Sequence, residues 1–192
     1  NRLKTKLARL LGASASDIAL GQNTTRGVID VALCFPWDKG DRVICFDGEF
    51  PSNVTPWQRA AALFDLEIVL LPAAEYRADM PAALDRLARE IQRGSRTGGR
   101  TRLVAVSAVQ FQTGYRMPLQ EMSALCHANG AELFVDAVQA CGMVPLDVVA
   151  DDVDYLCAGS HKWLMGVEGC GFLYAKPERA AALRPAVAGW LS

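Results

Sequence analysis

Apolar residues recur along this chain at two spacings, and the two alternate from its first residues to its last. Leu3, Leu7, Leu10 and Leu11 share one side of a period of about 3.6 residues, which predicts a helix over 1–11 that Gly12 ends. Residues 17–21 (DIALG) read as a short strand. Asn23, Thr24 and Thr25 then open a helix with capping-type residues, carrying Val28, Ile29, Ala32 and Leu33. Strands are predicted at 42–46 (RVICF) and 67–71 (EIVLL), with a helix over 53–65 between them that tolerates Pro56 in its first turn. A helix over 79–93 follows, then a strand at 103–107 and a helix over 118–129 ended by Asn129-Gly130. Strands at 132–136 (ELFVD), 154–158 and 170–175 and a short helix over 177–184 complete the set. Strands that alternate with helices need crossover connections, so the pattern predicts an α/β fold with a mainly parallel sheet and a single core.

Composition narrows the function classes. Hydrophobic residues make up 51% and charged residues 21% of 192, which suits a globular domain and excludes a disordered or fibrous chain. Twenty basic against twenty-one acidic side chains leave a net charge of −1. That balance gives no field to steer toward nucleic acid or anionic membrane, and neither partner is expected. No apolar run approaches the roughly 18–20 residues of a membrane span. Six cysteines (34, 45, 126, 141, 157 and 170) form no C-x-x-C pair, and only His127 and His161 could complete a metal site, so no metal is expected. Most of the cysteines lie in apolar company, as in Ile44-Cys45-Phe46, which reads as reduced core thiols and a cytoplasmic setting. Residues 93–102 hold four arginines, read as a solvated loop in preference to a phosphate patch. The chain opens Asn1-Arg2-Leu3-Lys4, with neither an initiator Met nor an apolar signal core, which reads as a trimmed start or a piece of something longer.

Ligands of parallel α/β sheets lie at the C-terminal ends of the strands, so polar residues just after apolar runs are the candidates. Four groups qualify: Asn23-Thr24-Thr25, Gln110 to Gly114, Asp136 with Gln139, and Ser160-His161-Lys162. Each has a bland reading as a helix cap, a polar surface residue or a solvated pair. Together they match the needs of pyridoxal 5′-phosphate. Its aldehyde needs a lysine amine and its ring nitrogen a carboxylate; its phosphate needs N–H and hydroxyl donors at a helix N-terminus, and its phenolic oxygen a donor such as an amide.

Asp136-Ala-Val-Gln139, Gly159-Ser-His-Lys162-Trp163 and Gly166-Val-Glu-Gly169-Cys-Gly171 resemble segments of the class V aminotransferase family of fold type I pyridoxal-phosphate enzymes, which includes the cysteine desulfurases. Gln22-Asn-Thr-Thr25 and Glu49-Phe-Pro-Ser-Asn53-Val-Thr-Pro56-Trp57 support the match, which runs from about Asp17 to about Pro177. The resemblance implies a three-layer fold with a mixed sheet flanked by helices. It implies Lys162 as the Schiff-base lysine and proton carrier, Asp136 on the ring nitrogen and Gln139 on the phenolic oxygen. Thr24, Thr25, Ser160 and His161 would hold the phosphate, Phe50 would stack, and Gln110, with Gln112 as the alternative, would touch the ring. It further implies an amino acid or amine substrate and a homodimer. Residues 1–192 would form the cofactor-binding large domain, with an N-terminal segment and a small C-terminal domain outside this chain.

Cysteine desulfurases carry a histidine in the segment matching Glu49 to Asn53, and none stands here. Phenylalanine can stack but cannot move a proton. Transaminase- or epimerase-like chemistry is therefore expected ahead of the C–S lyase alternative (desulfurase or selenocysteine lyase). The reading from another class is a non-catalytic scaffold that keeps the fold. A nucleotide-binding domain would need a glycine-rich turn after the first strand, which Gly21-Gln-Asn-Thr-Thr does not supply.

Overall fold

The computed structural model describes residues 2–94, 96 and 98–185. Helix α1 (Arg2–Leu11) buries Leu7, Ala8 and Leu11 and leaves Leu3 and Leu10 about half exposed, so its apolar stripe is narrower than the spacing predicts. Gly12 ends it at φ +72°, and a Cβ there would lie 2.6 Å from the Asp147 carboxylate. Strand β1 (Ile18–Gly21) leads into helix α2 (Thr24–Cys34), whose cap is Asn23: its side chain accepts a hydrogen bond from Arg26 N at 2.8 Å. Strand β2 (Arg42–Asp47) is followed by a 3₁₀ turn at Pro51–Asn53 and helix α3 (Thr55–Phe64), so the predicted helix over 53–65 is broken at its start.

Strand β3 (Glu67–Pro72), a short helix α4 (Ala74–Ala78) that the apolar pattern does not announce, and helix α5 (Met80–Gln92) come next. Strand β4 (Thr101–Ser107), helix α6 (Leu119–Ala128) and strand β5 (Glu132–Asp136) lead to β6 (Tyr155–Gly159), β7 (Gly171–Ala175) and helix α7 (Pro177–Ala182).

The strands form one sheet in the order β1-β7-β6-β5-β4-β2-β3. β2 through β6 run parallel, while β7 is antiparallel to both β6 and β1. Two reversals restore the direction, so β1 runs with β6 and its C-terminal end joins the same edge. Period-2 alternation gives each face its own core. Val43, Cys45, Leu103, Ala105, Phe134 and Cys157 meet Val28, Val31 and Ala32 of α2 and Trp57 and Ala60 of α3. Ile44, Phe46, Val104, Val106, Leu133 and Val135 meet Leu87 and Ile91 of α5, Met122 and Cys126 of α6, and Leu7 and Leu11 of α1. Three layers result, and truncating a fully buried side chain such as Trp57 would cost about 3–5 kcal/mol.

The N-terminal edge of the sheet is tied by ions. Asp154, with no exposed surface, accepts from Leu133 N at 2.8 Å and Arg179 Nε at 2.9 Å and meets His127 Nε2 at 2.7 Å. The arginine-rich loop belongs to this edge as well. Arg96 meets Glu67, and Arg102 meets Asp41 at 3.0 Å, so both face carboxylates within the fold. Residues 95 and 97 of that loop lie outside the described residues. No helix among the described residues is long and apolar enough to cross a membrane.

Candidate active site

The opposite edge, where β1, β4, β5 and β6 end, carries a cleft of about 150 Å3 that opens to solvent. Asp136 lies on its floor at the last position of β5, 2% exposed. Its Oδ1 accepts from Val138 N at 2.9 Å, and among the described residues no donor reaches Oδ2. Burial pushes this carboxyl up to about 7; the Glu49 charge adds to the rise, while the Val138 N–H and the Lys162 charge oppose it. The acid is thus placed where it can hold or release a proton near neutrality.

Thr24 and Thr25 line one end of the cleft, at the first turn of α2. Because Asn23 takes the capping role, the Thr24 hydroxyl is left over. It is buried, and among the described residues its oxygen has no hydrogen-bond partner. An orphaned buried hydroxyl at a helix N-terminus is an anion site in waiting, since the first-turn N–H groups and the helix dipole favour negative charge there. Gly159 at the end of β6 keeps this corner open. A Cβ at that position would come within 2.9 Å of His161 Nδ1 and 3.2 Å of Thr24 Oγ1.

His161 and Lys162 line the cleft from the connection between β6 and β7. The Lys162 amine lies 6.0 Å from the centroid of the Phe50 ring, which in turn meets Phe111 edge-on at 5.4 Å. These two rings form an aromatic wall, and Ser52 and Ser107 add hydroxyls. Gln139 lines the cleft beside Asp136, and its Oε1 accepts from Trp163 Nε1 at 3.1 Å. An indole N–H can only donate, so the amide oxygen faces Trp163 and the NH₂ group remains available as a donor.

Thr24, Thr25, Phe50, Asp136, Gln139, His161 and Lys162 therefore come together as the sequence predicts. Two expected members do not line the cleft. Gln110 is buried behind it, with its amide donating to Glu49 Oε1 at 2.8 Å, and Gln112 is exposed and lines neither this cleft nor the hollow beside it. Ser160 is held within its own loop, its hydroxyl donating to Val167 O at 2.5 Å and its N–H to Cys170 O at 2.9 Å. Asn23 and Phe111, from two of the candidate segments, also line the cleft, and Ser52, Ser107 and Val138 line it unannounced. Ser107 was findable, because it is the polar residue that closes an apolar strand and pairs in register with Asp136. Among the described residues no three His, Cys, Asp or Glu side chains converge to hold a metal ion.

A lysine, a buried aspartate and an open helix N-terminus thus meet at the C-terminal strand edge of a three-layer α/β fold, where such folds bind their ligands. The family model for class V aminotransferases matches residues 1–189, and the chain belongs to that family, whose members depend on pyridoxal phosphate. It is similar to a cysteine desulfurase of Dickeya dadantii, 34% identical over 95% of this chain and 43% of that protein. It is also similar to isopenicillin N epimerase of Streptomyces clavuligerus, 30% identical over 97% of this chain and 46% of that protein. The crystal structure of the cysteine desulfurase CsdA from Escherichia coli superposes with a TM-score of 0.86 at 29% identity, over 97% of this chain and 45% of that one. The chain spans less than half the length of these relatives.

Proposed function

We propose that the cleft holds pyridoxal phosphate and that the protein acts through it on an amino acid or amine, with transaminase- or epimerase-like chemistry. The observation that carries this reading is the leftover chemistry of one cleft: among the described residues, a buried carboxyl with a vacant oxygen, a lysine amine without a hydrogen-bond partner, and an orphaned hydroxyl at a helix N-terminus. The bound cofactor supplies an electrophilic carbon and an electron sink for the substrate α-carbon.

The residues divide the work. Thr24, Thr25 and the first N–H groups of α2 bind the phosphate, and His161 adds a ring nitrogen on the same side of Gly159 as Thr24. Asp136 holds a proton at the ring nitrogen and keeps that nitrogen cationic. Gln139 donates its NH₂ to the phenolic oxygen, oriented for it by Trp163. Phe50 covers one ring face and excludes water. The Lys162 amine is the nucleophile that secures the cofactor, and afterwards moves a proton at the substrate α-carbon. Ser160 and Gln110 act from behind, by fixing the loops that carry Lys162 and Phe111.

A C–S lyase is the second reading, favoured by the likeness to the Dickeya cysteine desulfurase. Against it stands the aromatic wall: Phe50 and Phe111 offer no proton where desulfurases carry a histidine. A homodimer fits the exposed Trp163, Met165 and Val167 beside the cleft, and a cytoplasmic setting fits the absence of any disulfide among the described residues.

The test is to load the protein with pyridoxal phosphate, reduce with borohydride and map the labelled peptide. A single label on Lys162, lost in a folded Lys162→Ala variant, is expected. A folded dimeric sample that takes no label would refute the proposal. Turnover of an amino acid with a 2-oxo acid, against sulfide release from cysteine, separates the two reactions.

A further inference from the structure

A second buried carboxylate stands behind the cleft without lining it. Glu49 follows β2 by two positions and is 8% exposed. Its Oε1 accepts from Ser107 N at 2.7 Å and from Gln110 Nε2 at 2.8 Å, and its Oε2 accepts from the Ser107 hydroxyl. These donors satisfy its oxygens but do not neutralise it: among the described residues no Lys, Arg or His forms an ion pair with Glu49. Ser107 is also the register partner of Asp136 across β4 and β5, so Glu49 is anchored on the residue that lies beside Asp136 in the sheet.

We propose that Glu49 is a positioning residue: a fixed negative charge behind Asp136 that keeps one proton in the contact between Asp136 and the basic ring nitrogen received by the cleft. The ligand half rests on the pyridoxal-phosphate reading, whereas the coupling of the two carboxyls does not. Asp136 feels burial first and the Glu49 charge among its further causes, and the same charge reaches the buried Cys45 thiol. The other titratable groups around Asp136 are Lys162, which opposes the effect, the buried Cys157, which itself feels the Asp136 charge, and His161 on the cleft wall. A negative charge behind the pair raises the proton affinity of both partners, so the contact keeps its one proton to higher pH.

Glu49→Gln separates charge from hydrogen bonding. The amide oxygen still accepts from Ser107 N and Gln110 Nε2, and its NH₂ donates to a Ser107 hydroxyl turned to accept. Carboxyl-carbon NMR of the protein without cofactor, with Asp136 assigned by its loss in Asp136→Asn, should show the Asp136 midpoint falling by about one pH unit in the variant. With labelled pyridoxal phosphate bound, nitrogen NMR should show the ring nitrogen losing its proton at lower pH than in the wild type. An unmoved Asp136 midpoint in a folded variant overturns the proposal and leaves Glu49 a hydrogen-bonding strut. Should Glu49→Gln not fold, Ser107→Ala decides. It removes one donor and keeps the charge, so the Asp136 midpoint must stay or rise, and a fall refutes the coupling. A wild-type protein that takes no cofactor would refute the functional reading, while the Asp136 midpoint would still test the pair.

Discussion

Replacing Asp136 by Asn should make the cofactor-free protein more stable above neutral pH and leave it unchanged in acid. Asparagine fills the same space and its oxygen can still accept from Val138 N, but it never ionises. In the folded protein the Asp136 carboxyl is pushed up to about 7, against about 3.9 in an unfolded chain. Between those values the folded state holds a proton that the unfolded state has released, so the wild type loses stability as pH rises and the loss is complete above the folded value. The stability difference between variant and wild type should be near zero at about pH 4, climb by about 1.4 kcal/mol per pH unit, and level off above pH 7 at about 4 kcal/mol, an upper bound once the site relaxes. Urea unfolding of both proteins across this range reads the difference directly, because every other titrating group is common to the two. A difference that stays flat with pH, or an Asn variant that is less stable at about pH 8, would refute the assignment of a strained acid. The same substitution should abolish tight pyridoxal-phosphate binding, so stability and function are opposed at this one atom pair.

Gly159→Ala should raise the dissociation constant for pyridoxal phosphate by about tenfold or more while costing about 1 kcal/mol of stability. Its Cβ pushes on His161 and Thr24 and not on backbone, and a fluorescence titration beside a urea curve checks both numbers. Gly27→Ala works in the opposite sense. Its Cβ would lie 2.7 Å from the Cys157 Cβ where α2 rests on β6, a contact neither side chain can swing away from. A loss of about 1–3 kcal/mol in urea unfolding is expected, and weaker cofactor binding should follow only as α2 is displaced.

The fold was legible because its signals are local. Strand cores such as 42–46 and 132–136 announce themselves by composition, and the helix ends by Gly12 and Asn129-Gly130. What the pattern does not carry is strand order. The insertion of β7 between β1 and β6 depends on pairings between distant segments, and the five residues of α4 are too few to show a period. The site was legible for the same reason wherever a residue closes its own strand, as Asp136 does. It was not legible for Gln110, whose amide is claimed by Glu49 from another strand end, nor for Ser160, which bonds to a carbonyl seven residues on. Thr24 shows the converse: as a cap it would have been spent, and Asn23 taking that place is what frees it.

The antiparallel strand has a consequence for the order of assembly. β1 reaches the sheet only through β7, and β7 reaches it only through β6. On a ribosome β1 emerges early, yet it has no strand to pair with until residues 171–175 follow. The late closure of so long a loop predicts a slow final folding phase, reported by protection of the β1 amides, and a nascent chain halted before β7 would leave β1 unpaired.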